Sequence, residues 1–328
     1  MIDTAALAAL LSRARGAPVA VDSVTALSGG ASSATYAVAA RAGGSDWPLI
    51  FQCAAAALEP GQLSKATQAE LQRIAARHGL PVADVVAVTA PGDGLGDGFV
   101  MARVPGEALA PRWLKSAAFA GARAALTTQC ATALARLHAV PLGEFAPLPL
   151  AGGTPREQCA RLNAAYRGFG VDLPAFDLAF GWAAERLGDH APTALVHGDF
   201  RSGNLIIDER GLAAVLDWEL AHLGDPAEDL GWLCVNAWRF GHWQLPVGGF
   251  GAREALYDAY AAAGGAPVDR AMAQVWEVYG TLRWGMACLQ LVHDHLSGRV
   301  RSVERAAIGR RITEVEADLL YLLSHGSI

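Results

Sequence analysis

The segment from Leu195 to Glu219 limits the fold more than any other part of the chain. An apolar lead-in, Leu195-Val196, delivers the polar loop His197-Gly198-Asp199-Phe200-Arg201-Ser202-Gly203-Asn204. Two short apolar runs follow, Leu205 to Ile207 and Leu212 to Leu216, around a turn at Asp208 to Gly211. That pattern predicts a β-hairpin. Antiparallel strands return Asn204 and Asp217 to the same end, and Asp199 is close enough in sequence for its loop to fold over that end. Three oxygen-bearing side chains therefore converge from one short segment. An amide and a carboxylate with room for water and phosphate oxygens suit Mg²⁺ better than a soft metal. A second carboxylate beside them can receive a proton. The set matches phosphoryl transfer from a metal-bound nucleotide, where the protein positions a hydroxyl and neutralises charge.

The rest of the 328 residues divides at Val104-Pro105-Gly106. Before it, strand patterns at Val21 to Leu27, Ala34 to Ala39, Trp47 to Cys53, Asp84 to Thr89 and Gly98 to Arg103 surround one helical pattern, Ala66 to His78. Beyond it, helical spacing runs through Lys115 to Ala139, a broken stretch from Arg156 to Leu187, Arg253 to Ala263, Ala271 to Leu296 and Val303 to Ser324. The prediction is an α+β protein of two lobes. A small antiparallel-sheet N-lobe spans 1–104, and a larger, mainly helical C-lobe spans 105–328.

Composition excludes several functions. Hydrophobic residues make up 52%, charged residues 18%, and the net charge is -6, which argues against disorder and against a basic nucleic-acid surface. The Ala-rich stretch from Ser116 to Ala135 is interrupted by Arg123, Thr127, Thr128 and Gln129, so no membrane span is expected. Asp3 precedes the apolar Ala5 to Leu11 and Arg13 and Arg15 follow it, the reverse of a secretory signal, which predicts a cytoplasmic protein. Five scattered cysteines read as buried free thiols. Of 26 basic side chains only Lys65 and Lys115 are lysines.

The loop resembles that of the aminoglycoside phosphotransferase family, whose protein-kinase-like fold also serves choline and homoserine kinases. The family's His-Gly-Asp-x-x-x-x-Asn motif falls on His197, Gly198, Asp199 and Asn204, and its metal-binding Asp on Asp217. The resemblance implies that Asp199 is the catalytic base for the acceptor hydroxyl, that Asn204 and Asp217 hold Mg²⁺, and that ATP is the donor. Ser28, Gly29, Gly30, Ser32 and Ser33 would cover the phosphates. The strand from Val100 to Val104, with Met101 and Arg103, would supply the backbone that pairs with adenine. Leu27 to Ser32, Asp217-Trp218-Glu219, Gly224-Asp225-Pro226, Asp229-Leu230-Gly231-Trp232 and Leu282-Arg283-Trp284-Gly285 are similar to the branch found fused to, or encoded beside, acyl-CoA dehydrogenases. That branch implies a small-molecule acceptor that is a hydroxyacyl or lipid-derived metabolite. An aminoglycoside or choline-type kinase and a weak or inactive pseudokinase remain as alternatives. The oligomeric state stays open.

One part of the family pattern is missing. The third strand normally carries a Lys or Arg on the phosphates, paired with a Glu on the next helix. Here the strand reads Leu49-Ile50-Phe51-Gln52-Cys53, and counting back from Gly79-Leu80-Pro81 puts Gln68 at the glutamate position. Glu70 faces about 200° away on a helix, and a register two residues later would bring it in instead. Loss of a charge-assisted phosphate contact costs about 1.5 to 3 kcal/mol. Three readings follow: Lys65 reaches the phosphates, ATP binds weakly, or the chain is a pseudokinase. Asp225 and Asp229 read as helix caps that brace the loop, His138 as a packed or capping residue, and His293-Asp294-His295 as an improbable metal pair. Arg201, Arg239 and Arg283 are candidates for an anionic acceptor, and Glu219 for a second metal or substrate.

Overall fold

Alternating apolar side chains set the layers of the first hundred residues. The computed structural model describes residues 2–27, 33–54 and 62–326. Its N-lobe sheet contains β1 (Val19–Ala26), β2 (Ser33–Ala42), β3 (Ser45–Ala54), β4 (Val85–Val88) and β5 (Gly98–Ala102). The spatial order is β1-β2-β3-β5-β4, with every pairing antiparallel. From β3, Leu49, Phe51 and Cys53 share a buried cluster with Leu7, Leu10 and Leu11 of α1 (Thr4–Arg15). Ile50 and Gln52 take the opposite face, where Ile50 packs with Phe99, Met101 and Ala69 of α2 (Lys65–Arg77). Helix α1 is absent from the sequence reading although its signals are present. The Asp3 carboxylate accepts from the Ala5 and Ala6 amides at 2.9 and 3.1 Å, and Gly16 ends the helix at φ 69°.

The C-lobe helices are α3 (Ala110–Lys115), α4 (Ala120–His138), α5 (Pro155–Gly168), α6 (Pro174–Arg186), α7 (Ala227–Cys234), α8 (Arg253–Ala262), α9 (Arg270–Leu296), α10 (Val303–Gly309) and α11 (Ile312–His325). The predicted stripe of α4, Leu126, Cys130, Leu134 and Leu137, is buried throughout, and each fully buried side chain of this size contributes about 1.5 to 3 kcal/mol. A second cluster joins Trp276, Leu282 and Leu289 of α9 to Phe176 and Phe180 of α6 and Leu319 of α11. Two expected helices differ. The one predicted from Lys115 starts at Ala120, because Ser116 is extended (φ -72°, ψ 133°) and its Oγ accepts from Ala118 N–H at 3.3 Å. The one predicted from Val303 to Ser324 divides after Gly309, which lies against Val292 of α9 with no space for a Cβ. All five cysteines are free and buried, and among the described residues no helix is long and apolar enough to cross a membrane.

Two contacts hold the hairpin formed by β7 (Leu205–Asp208) and β8 (Gly211–Val215), which follow β6 (Ala194–Val196) in the chain, one to the segment just after the lobe boundary and one to the N-lobe. Glu107 and Ile207 exchange both backbone hydrogen bonds, at 2.9 and 3.1 Å, and Val215 N–H donates to Pro81 O at 2.8 Å. Gly106 allows the first approach, since a Cβ there would sit 2.5 Å from Ile206 Cγ2 and 2.9 Å from Ile207 O.

Candidate active site

The site is built by two ladders. β7 pairs with β8, and β6 pairs with β9 (His222–Gly224), a strand the sequence reading does not foresee. Residues 197–204 run from β6 to β7, and residues 216–221 run from β8 to β9. Both segments hang between the same two pairs of strands and are forced side by side. Leu216 N–H donates to Asn204 O at 2.8 Å, and His197 Nε2 lies 3.1 Å from Leu216 O. The hairpin therefore returns Asn204 and Asp217 to one end, as its antiparallel register requires.

Buried polar groups hold the loop. Asp229 of α7 accepts from His197 N–H at 2.8 Å and Gly198 N–H at 3.0 Å, and its other contact is His138 Nε2 at 3.2 Å. Burial works to raise its pKa, but these hydrogen bonds win and hold the carboxyl below its ordinary value. His138 also meets the Tyr260 hydroxyl at 2.9 Å, so it is a packed residue that acts on the loop through Asp229. His197 is fully buried, its Nδ1 accepts from Asp199 N–H at 3.1 Å, and burial lowers its pKa despite Asp229 and Asp199. These contacts place Nδ1 as acceptor and Nε2–H as donor, the neutral tautomer. Arg283 donates to Gly198 O and, at 2.9 Å, to Glu228. Gly198 has φ 77°, and a Cβ would run into the Leu220 carbonyl. Gly198→Ala should therefore destabilise the fold by about 2 kcal/mol or more. Thermal melts would show the loss, with ADP-release assays reporting the collapse of the loop.

Asp199 and Asn204 meet directly. Asn204 Nδ2 donates to Asp199 O at 3.0 Å and Asp199 Oδ2 at 2.6 Å, which leaves the amide oxygen free of the loop. Asp199 Oδ1 accepts from Arg201 Nε at 3.0 Å and Trp232 Nε1 at 2.9 Å. Asp217 adopts φ 66°, a left-handed conformation uncommon for a residue with a side chain. Among the described residues no hydrogen-bond donor reaches its carboxylate, and burial, then the charges of Glu219 and Asp199, push its pKa up to about 7. A crowded carboxylate without a donor is one that a cation would satisfy. The hard oxygens of Asn204 and Asp217 fit Mg²⁺. No group of three His, Cys, Asp or Glu side chains among the described residues is arranged to hold a metal.

On the N-lobe side, Ser28, Gly29, Gly30 and Ser32 lie outside the described residues. Ser33 is buried and accepts from Lys65 Nζ at 2.6 Å. Gln52 sits between Thr35 and Phe99 across the sheet. Gln68 does not bind Gln52: its Oε1 accepts from Lys65 Nζ at 2.9 Å and its Nε2 donates to Leu63 O at 2.9 Å. Glu70 faces outward toward Arg73 and Arg77, so the inward position belongs to Gln68. Lys65 is 2% exposed, and burial lowers its pKa against the pull of Glu219, Asp217 and Asp97. Met101 is buried beside Gln72 Nε2, and Arg103 is exposed with its amide spent on Pro48 O at 3.2 Å.

The acceptor candidates separate. Arg201 stays beside the reacting carboxylate, its guanidinium 4.7 Å from the Trp238 ring centre. Arg239 is fully buried and committed to Glu277, Cys234 O and Trp243 O, so it is a structural ion. Arg283 is committed to the loop and to Glu228, with its guanidinium 3.8 Å from the centre of Trp232. Neither is available to an anionic acceptor. Glu219 is half-buried two residues beyond Asp217. Trp232 is a site residue that sequence reasoning missed: it enters there only within Asp229-Leu230-Gly231-Trp232, and nothing local marks its indole as a donor to Asp199. His293-Asp294-His295 is no metal pair: Asp294 binds Arg299 and Arg305, and His293 meets Phe169 edge-on.

The chain is similar to several known proteins. A family model described as the phosphotransferase enzyme family (APH) matches residues 23–275. Acyl-CoA dehydrogenase family member 10 of Mus musculus is 32% identical over 126 residues, covering 34% of this chain and 11% of that protein. Acyl-CoA dehydrogenase family member 11 of Gallus gallus is 44% identical over 63 residues, covering 18% of this chain and 8% of the relative. The chain thus matches about a tenth of the length of these relatives. A Ralstonia eutropha JMP134 structure, provisionally described as an aminoglycoside phosphotransferase, superposes with TM-score 0.75 at 20% identity, covering 96% of each chain. Spectinomycin phosphotransferase bound to ADP and spectinomycin gives TM-score 0.66 at 12% identity, covering 97% of this chain and 98% of that one. At these identities the likeness is one of fold.

Proposed function

We propose that this chain, which belongs to the phosphotransferase enzyme family, moves the terminal phosphoryl group of ATP to the hydroxyl of a hydroxylated acyl or hydroxy-acid metabolite. The coarser part, an ATP-dependent phosphotransferase acting on a small molecule, follows from the family. The observation that carries the residue roles is the convergence of Asp199, Asn204 and Asp217 at one end of the β7–β8 hairpin. Asp199 orients the acceptor hydroxyl and accepts its proton. Arg201, Trp232 and Asn204 hold that carboxylate in place. Asn204 and Asp217 would hold Mg²⁺, whose chemistry here is to neutralise charge on the phosphates. The backbone of Val104 is the first part of the interlobe strand left for adenine, since the amides of Ala102 and Arg103 donate to Asp84 O and Pro48 O.

The acceptor class rests on the surroundings of Asp199. Trp232 packs on Trp238, and Trp238 on Trp284, with ring centres 4.9 and 5.0 Å apart. The Arg311 guanidinium lies 5.5 Å from the Trp284 ring centre, and Arg311 also lines a cleft of about 510 Å³ together with Lys115, Asn236, Phe240, Trp243 and Glu314. An aromatic row ending near Lys115 and Arg311 suits an apolar body with an anionic end. A second reading, an aminoglycoside or choline-type acceptor, is favoured by the fold shared with antibiotic phosphotransferases. ADP release with ATP and Mg²⁺ over a panel of hydroxyacyl-CoA, hydroxy acids, choline and aminoglycosides tests the choice. Turnover is expected with the hydroxy acids or their CoA esters. Turnover confined to the amines would select the second reading, and ATP binding without turnover on any acceptor would make the chain a binding protein.

A further inference from the structure

We propose that Lys65 is the cation that holds the nucleotide phosphates in this chain, serving from the first turn of α2 in place of the basic residue that β3 lacks. The inference rests on the phosphotransferase reading and deepens it. Position 52 of β3, on the face turned to α2, is glutamine, and no lysine or arginine lies elsewhere in that strand. Lys65 is buried to 2% exposure, and among the described residues its ammonium donates to two neutral oxygens, Ser33 Oγ at 2.6 Å and Gln68 Oε1 at 2.9 Å. No carboxylate lies within 4 Å of it among the described residues, and Asp97, Asp217 and Glu219 act on it from further away. A buried ammonium is costly without an adjacent anion, and of its three hydrogens the described residues take two. A polyanion beside Asp217 would supply the missing partner.

The lysine is also built in. Its own amide donates to Asp97 Oδ2 at 2.9 Å, and Ser64 Oγ, the helix cap, accepts from Thr67 N–H at 3.1 Å. Gln68 is anchored on Leu63 O while it accepts from the ammonium. A glutamate there would neutralise Lys65, whereas the glutamine positions it with its charge intact. Ser33 directly follows the serine and glycine segment 28–32 in the chain. On this account the two glutamines are not the remains of an ion pair. They accompany a lysine that has moved.

Calorimetry on the full chain tests this without an acceptor. Lys65→Met should weaken ATP and ADP binding roughly 10- to 100-fold, the range of a charge-assisted contact, and leave adenosine binding unchanged. Adding Gln52→Lys to that variant should restore most of the lost ATP affinity. ATP affinity within twofold of the parent in a folded Lys65→Met protein would overturn the inference and leave the phosphotransferase reading standing. A parent chain that binds no ATP would overturn both. Should the variant fail to fold, an acyl phosphate of ATP probes the native protein. The lysine nitrogen bonds to the acyl carbon, the carbon–oxygen bond to the terminal phosphate breaks, and ATP leaves as the amine loses a proton. Peptide mass spectrometry should find Lys65 acylated and protected by excess ATP, with Lys115 as the internal control. An unlabelled Lys65, or labelling that ATP does not suppress, would overturn the assignment.

Discussion

Asp199→Asn should lower turnover by about 10² to 10⁴-fold, the usual worth of a general base, while ATP affinity stays within about threefold. Among the described residues all three side-chain hydrogen bonds to this carboxylate come from donors: Arg201 Nε and Trp232 Nε1 on Oδ1, and Asn204 Nδ2 on Oδ2. An amide at position 199 must point its NH₂ at one of them in either flip. The substitution should therefore also destabilise the protein by about 1 to 3 kcal/mol. ADP release and thermal melts read the two effects separately. Turnover within tenfold of the parent would remove Asp199 from the role of base.

The second large effect belongs to Asp217. Asp217→Asn should reduce turnover by roughly 10³-fold, since a metal ion contributes several kcal/mol of charge stabilisation. Its pKa, pushed up to about 7 chiefly by burial, makes the behaviour depend on pH. A proton competes with Mg²⁺ for the carboxylate, so apparent Mg²⁺ affinity should fall about tenfold per pH unit below 7 and level off above. The folding linkage has the same origin. The folded pKa is raised, so this group's stabilising contribution is complete below about pH 4 and is lost as pH rises through about 7. Without metal, Asp217→Asn should match the parent in melting temperature near pH 4 and exceed it at pH 8. A parent that melts higher than the variant at pH 8 would contradict the crowding of Asp217 by Glu219 and Asp199.

The glutamines show where a one-dimensional reading stops. Counting from Gly79-Leu80-Pro81 put Gln68 inward and Glu70 outward, and the ion pairs of Glu70 with Arg73 and Arg77 agree. A helix repeats every 3.6 residues, so position along it is legible. The direction taken by a lysine side chain is not, and Lys65 could be placed only by its contacts with Ser33 and Gln68. Arg239 and Arg283 read as available cations for the same reason. Nothing local marks Glu277 or Glu228, 38 and 55 residues away, as their partners. Helix α1 differs in kind, since Asp3 and Gly16 signal both ends.

The sequence by itself determined the two-lobed plan, the reactive loop and the return of Asn204 and Asp217 to one end of a hairpin. Each of these follows from short-range periodicity and from the fixed register of adjacent antiparallel strands. Only the tertiary structure decided that β9 pairs with β6, that Asp229 binds the loop amides and that Trp232 reaches Asp199. Those contacts join residues far apart in the chain, and such partners are chosen by which buried polar groups can satisfy one another once the lobe has closed.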